Sequence, residues 1–235
     1  MQAAINGLLL GGVYSLVSVG LTLIYGVMDI VNFSHGAFMM LSMYMTYWLL
    51  TLWRIHPLIS LPLSFLTFFL IGMVLQRGVI QRALEGPMAA QIFVTFGILL
   101  IVENSALASW TALVRSVVVD YTTATLSFGE LNISFPRLIA FFAALIASLG
   151  LHIFLTRTNV GLAIRATAQN REAAELAGID TKMIYALTFG IALGFVALAG
   201  NLVSTFFYVS PSAGAPFILT AFVVVVLGGL GNYIG

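Results

Sequence analysis

The sequence predicts an all-α polytopic membrane protein: a helical bundle of about seven hydrophobic segments with broken or re-entrant stretches and one water-facing helical segment. Three observations carry that expectation. The chain is 61% hydrophobic and 7% charged, whereas a soluble domain carries about 25% charge. Its apolar residues fall in runs of about 20, the length of a membrane helix, and not in the alternating strands of about 10 that build a barrel. Charge is also concentrated: of nine basic and eight acidic residues, Arg157, Arg165, Arg171, Glu172, Glu175, Asp180 and Lys182 lie in residues 157–182. All 235 residues are expected to form a single transmembrane domain.

Composition also narrows the chemistry. A net charge of +1 argues against nucleic acid as a partner. The absence of cysteine excludes disulfides, thiolate metal sites and thiol catalysis. No His/Cys/Glu cluster has metal-ligand spacing, and no nucleophile–base pair stands out, so no catalytic or metal site is expected.

The hydrophobic segments run over residues 3–28, 37–53, 58–76, 89–112, 138–156, 183–208 and 217–235. The first is preceded by no Lys or Arg and is too long for a signal peptide, so it reads as a retained span. Arg77 and Arg82 mark one polar connection; Arg157, Arg165, Arg171 and Lys182 mark another. Two spans separate them, so they share a face, and the positive-inside rule makes that face cytoplasmic. The connections at Arg54 and at residues 113–137 then lie outside, and parity puts Met1 outside if the stretch around residue 30 is an ordinary loop, the favoured reading, or inside if that stretch is re-entrant. Within 113–137, β-branched and aromatic runs flank Gly129-Glu130, the pattern of a small external hairpin. His56, before Pro57, reads as solvated.

Residues 157–182 form a polar island between apolar spans, a loop held in water at a membrane face. Helical signals are present. Ala166, Ala173, Leu176 and Ala177 recur at three- and four-residue spacing, Gly178 suits a left-handed C-cap, and Asp180 or Thr181 can cap the next helix.

Within this island Glu172, Ala173 and Ala174, followed by Gly178, resemble the EAA loop of bacterial ABC importer permeases. Two more stretches narrow the match: GLTLIYGVMDIVNFSHG from Gly20 to Gly36, and VLGGLG from Val226 to Gly231. In this order, and over essentially the whole chain, they resemble the LivH-type permease of branched-chain amino-acid ABC importers. The resemblance implies a multi-pass protein of the bacterial inner membrane. It also implies that Arg165, Arg171, Glu172, Ala173, Ala174, Glu175 and Gly178 form a cytoplasmic coupling helix docked on an ATPase. The implied partners are two ATPase subunits carrying ATP and Mg, a second permease of the LivM type and a periplasmic substrate-binding protein. This chain has no Gly-x-x-x-x-Gly-Lys-Ser/Thr loop, so it is not expected to be an enzyme or to hold a cofactor itself. LivH-type permeases usually continue with further hydrophobic helices, so more chain is expected beyond Gly235.

The remaining question is which polar groups line a path. Asp29, Asn32, Ser34, His35 and Gly36 interrupt two apolar spans, and non-helical backbone at membrane depth survives only when buried in protein or lining a wet cavity. A helix that begins there aims its N–H groups at a carboxylate, one end of an amino-acid zwitterion. Glu103 and Asn104 fall within the fourth span, where a carboxylate costs about 2.5–3.5 kcal/mol and is expected to face the bundle interior. Asn201 and His152 read as lone buried polar residues with local partners. Gly7, Gly11 and Gly12, and Gly190, Gly194 and Gly200, read as helix-packing positions. Gly228, Gly229 and Gly231 read as a helix break, and with Ser210–Pro216 they suggest a short half-crossing and return. The competing class is a stand-alone secondary transporter or channel for a small polar solute, which would keep ionisable residues in mid-span.

Overall fold

The structure is a computed structural model that describes residues 1–128 and 131–229. The expected hydrophobic segments form α1 (Gln2–Met28), α2 (His35–Trp53), α3 (Pro57–Leu75), α5 (Met88–Trp110), α6 (Phe135–Arg157), α9 (Thr181–Ser204) and α10 (Ala215–Gly228). A π-turn over Gln76–Ile80 joins α3 to the short α4 (Gln81–Leu84). The polar elements are β1 (Thr125–Phe128), β2 (Leu131–Ser134), α7 (Asn159–Gln169) and α8 (Arg171–Leu176).

Five of the helices are long and apolar enough to cross a membrane: α1, Pro57–Leu84, α5, α6 and α9. The other two expected segments fall short of that length or apolarity. α2 is rich in hydroxyl and aromatic residues, and α10 has only 14 residues.

α9 is the axis of the bundle, buried along nearly its whole length between α1, α2 and α3. Small residues on α9 permit that packing. A Cβ on Gly190 would stand 2.8 Å from the Phe69 carbonyl oxygen, and one on Gly194 2.6 Å from the Phe65 ring. On α1 Gly12 works this way against Phe141, and Gly20 against the Ala192 carbonyl oxygen of α9; Gly7 and Gly11 have no such neighbour within 4 Å. The expected packing role therefore fails at those two positions within this chain. Outward faces of α3, α5 and α6 are apolar and exposed, as a lipid or subunit contact requires.

Two contacts sort the ends. Asn132 donates its backbone N–H to Gln2 Oε1 at 3.0 Å, which puts Met1 at the end of the β1–β2 hairpin. Arg77 Nη2 lies 2.7 Å from Met183 Sδ, which puts both basic connections at the opposite end. By the positive-inside rule that opposite end is the one expected to face the cytoplasm. The hairpin pairs antiparallel, Thr125 with Ser134 through Phe128 with Leu131; its Gly129-Glu130 tip lies outside the described residues. His56 is not merely solvated: its Nδ1 accepts the Leu58 N–H at 3.3 Å and caps α3.

Candidate functional site

α1 ends at Asp29, which adopts φ 54, a left-handed conformation that aspartate tolerates better than most residues. The chain then turns back into the bundle. His35 Nε2 lies 3.2 Å from the Val17 carbonyl, so the tautomer with a proton on Nε2 donates there. Val17 is 11 residues before Met28, about 16 Å along the helix axis. α2 therefore begins near the middle of a hydrocarbon core about 30 Å thick.

The break is held from inside. Asn32 Oδ1 accepts from the Ser34 N–H at 3.1 Å and from Ser34 Oγ at 2.6 Å. Thr95 Oγ1 of α5 reaches the Val31 carbonyl at 3.2 Å. Asn32, Ser34 and His35 are fully buried. Asn32 Nδ2 and His35 Nδ1 have no partner among the described residues. Asp29 is exposed at the cytoplasmic end and does not join them, so the expected group divides in two.

α10 supplies the second interrupted helix. Phe217 packs on Tyr14 at 5.6 Å and Val225 clusters with Leu21, so α10 runs beside α1, while Phe222 packs on Phe33 of the break at 5.4 Å. Its entry, Ser210–Gly214, descends from the outer side, where Val209 pairs with Arg115. The starts of α2 and α10 touch backbone to backbone. A Cβ on Gly36 would lie 2.9 Å from the Gly214 carbonyl oxygen, and one on Gly214 would overlap Gly36 itself. α10 ends at Gly228 and Gly229 follows with φ 94, the break expected there. Gly231 and the return beyond it lie outside the described residues.

Glu103 departs from expectation. It is partly exposed and lines an open cleft of about 510 Å³ with Asn104, Tyr208 and Ser210. Asn104 is exposed and donates to the Leu100 carbonyl at 2.8 Å, one turn back on its own helix. α5 packs on the bundle by so narrow a stripe that most of its circumference, including these two residues, stays uncovered. His152 is likewise exposed, on the outward face of α6. Asn201 is buried as expected, donating to Ser60 Oγ at 2.8 Å and Ser64 Oγ at 3.0 Å.

At the cytoplasmic end the polar island is two helices, not one continuous helix over Arg165–Gly178. Asn170 ends α7 in an extended conformation, and its Oδ1 accepts the Ala173 N–H at 2.9 Å, capping α8. Thr158 caps α7 in the same way through the Gly161 N–H at 3.0 Å. Gly178 takes φ 85 after α8, and Asp180 Oδ1 accepts the Met183 N–H at 3.1 Å to start α9.

The named side chains divide by contact. Glu175 Oε1 accepts from Thr181 Oγ1 at 2.6 Å and from Arg171 Nε at 3.0 Å. The Arg171 guanidinium lies 5.5 Å from the Tyr185 ring centroid. The Thr181 hydroxyl first, then Arg171, holds the Glu175 carboxyl below its ordinary value; the same Glu175 bond raises Arg171. Arg165 turns the other way and lines a small recess with Gly26 and Val27 of α1. Ala174 is the buried residue of α8, whereas Glu172, Ala173 and Leu176 face out, Leu176 with 90% of its surface exposed.

Sequence reasoning missed Thr181 as a latch, Tyr185, Thr95 and Gly214. Only Gly214 carried a signal, within the Pro211–Pro216 run. Hydroxyl partners inside helices leave no periodic trace.

Comparisons with known proteins followed the same lines. A family model described as "Branched-chain amino acid transport system / permease component" matches residues 3–235. The chain is 27% identical over 248 residues to the high-affinity branched-chain amino acid transport system permease protein BraD of Pseudomonas aeruginosa, covering 100% of this chain and 81% of that protein. It is 25% identical over 250 residues to LivH of Salmonella typhimurium, covering 100% and 80%. It is 26% identical over 225 residues to a probable LivH of Methanocaldococcus jannaschii, covering 94% and 71%. No solved structure matches significantly.

Proposed function

Because the chain belongs to the branched-chain amino acid transport permease family, we propose that it is the conduit subunit of an ATP-driven importer for branched-chain or related amino acids. On this reading two ATPase subunits bind the exposed face of α8, a LivM-type second permease completes the path, and a periplasmic binding protein delivers substrate at the hairpin end. ATP and Mg act on the ATPase subunits.

The observation that supports this best is the bond between α8 and α9. α8 projects Glu172, Ala173 and Leu176 into water, and its Glu175 is tied to the first residue of the most buried helix. An apolar knob beside a carboxylate on a short helix is a helix-in-groove ligand. A push on α8 is passed to α9, and α9 packs on α1, α2 and α3. The moving part at membrane depth is the junction of α2 with α10, where Asn32, Ser34 and His35 carry the polar groups for a zwitterionic substrate. In the present conformation these groups are shut in, so passage needs that junction to open.

The test is uptake by the reconstituted complex with its ATPases and binding protein. Leu176→Asp should abolish ATP-dependent leucine uptake and weaken ATPase binding, with membrane insertion intact. Ser34→Cys should react with a water-soluble thiol reagent only during turnover. Normal uptake by Leu176→Asp would remove the coupling assignment; unchanged labelling of Ser34→Cys would remove the path assignment.

A further inference from the structure

We propose that the groove between α3, α6 and α9 holds an acyl chain of an anionic phospholipid of the cytoplasmic leaflet, with its phosphate between Arg77 and Arg157. The groove has a volume of about 550 Å³ and is lined by apolar side chains, among them Phe65, Phe69, Leu151, Phe154, Leu187 and Ile191. It opens between the outward faces of α3 and α6, where Leu66, Leu70, Ile146, Leu149 and Ile153 are exposed. Its surroundings are therefore apolar, and its contents must be apolar too.

The periodicity of the walls places the charges. On α6 the lining residues Leu151 and Phe154 are followed one turn on by Arg157, the last residue of the helix. On α3 Phe65 and Phe69 lead by steps of four through Met73 to Arg77, just inside the π-turn. On α9 the floor residues Leu187 and Ile191 lead back to Met183, which Arg77 touches. Each wall thus ends in an exposed guanidinium at the cytoplasmic mouth. Among the described residues neither meets a carboxylate. An apolar slot ending in two cations is complementary to an apolar tail ending in an anion.

Size separates a lipid from a partner helix. An extended chain of methylenes lies in an open slot of this volume with far less width than a helix about 10 Å across requires.

The experiment uses the assembled importer in nanodiscs of equimolar phosphatidylglycerol and phosphatidylcholine, with retained lipids counted by native mass spectrometry. Wild type should retain phosphatidylglycerol preferentially. Arg77→Gln and Arg157→Gln should each lower that preference about fivefold, while Arg82→Gln should leave it unchanged. Gly150→Leu adds bulk to the groove at a position with no neighbouring atom within 4 Å, and should release the lipid with both arginines intact. Equal retention of the two lipids by wild type would overturn the proposal. So would an equal effect of Arg82→Gln, which would show diffuse surface charge. Full retention in Gly150→Leu, or loss of a partner subunit from that variant with lipid unchanged, would assign the groove to something else.

Discussion

Thr181 Oγ1 donates to Glu175 Oε1 across 2.6 Å, joining the last turn of α8 to the first residue of α9. The bond spans the Gly178 turn and ties the water-facing helix to the buried axis. Glu175 is half exposed, and its bond is worth little as a stabiliser. Its value lies in geometry.

Glu175→Ala and Thr181→Ala should therefore uncouple the complex without unfolding it. ATPase activity persists, and leucine uptake per ATP hydrolysed falls several-fold. Thr181→Ser, which keeps the hydroxyl, should restore uptake. Equal stoichiometry in all three variants would reduce the latch to a surface contact.

The latch should also be indifferent to pH near neutrality. The Glu175 carboxyl is depressed by Thr181 and then by Arg171. A depressed carboxylate contributes fully above its unfolded value of about 4.3 and loses that contribution as pH falls through the lower folded value. A carboxyl ¹³C titration should give a midpoint below that of ordinary glutamate. Coupling should be flat between about pH 6 and 8 on account of this residue.

Gly178 sits at φ 85 with open space where a Cβ would go. Gly178→Ala should cost about 1–2 kcal/mol, all of it backbone strain, read as a lower midpoint of thermal unfolding. Gly178→Asn should cost less, because asparagine visits this region more readily.

Gly36 and Gly214 make the closest approach of the two interrupted helices. Gly214→Ala must force them apart, at about 1–3 kcal/mol for overpacking, and uptake should fall sharply. Gly7→Ala and Gly11→Ala meet nothing within 4 Å in this chain and serve as controls; both should be near wild type in stability.

Asn201 ties α9 to α3 through Ser60 and Ser64. Asn201→Leu removes both bonds and should cost about 1–3 kcal/mol, from roughly 0.6–1.7 kcal/mol for each interhelical bond in a membrane. Denaturation of the reconstituted protein measures it. The double change of Ser60 and Ser64 to Ala, combined with Asn201→Leu, should add little, since the bonds are already gone.

The sequence by itself determined the membrane class, the segments, the sharing of one face by the two basic connections, and the caps at Gly178 and Asp180. Those features are local: hydropathy over about 20 residues sets a span, and one residue's backbone preference sets a cap. What the tertiary structure alone decided is which polar groups meet. Glu103 was placed inside on the cost of burying a carboxylate, yet α5 touches the bundle along so little of its surface that the residue stays in an open cleft. Asn32 and His35 were legible as an interruption; Asn32 meets its near neighbour Ser34, but the Val17 carbonyl that His35 reaches depends on the chain turning back about 16 Å into the bundle. Helix packing in a membrane rests on close approach and a few hydrogen bonds, not on an apolar stripe. Periodicity therefore does not record it, and the contacts exist only once the helices have met.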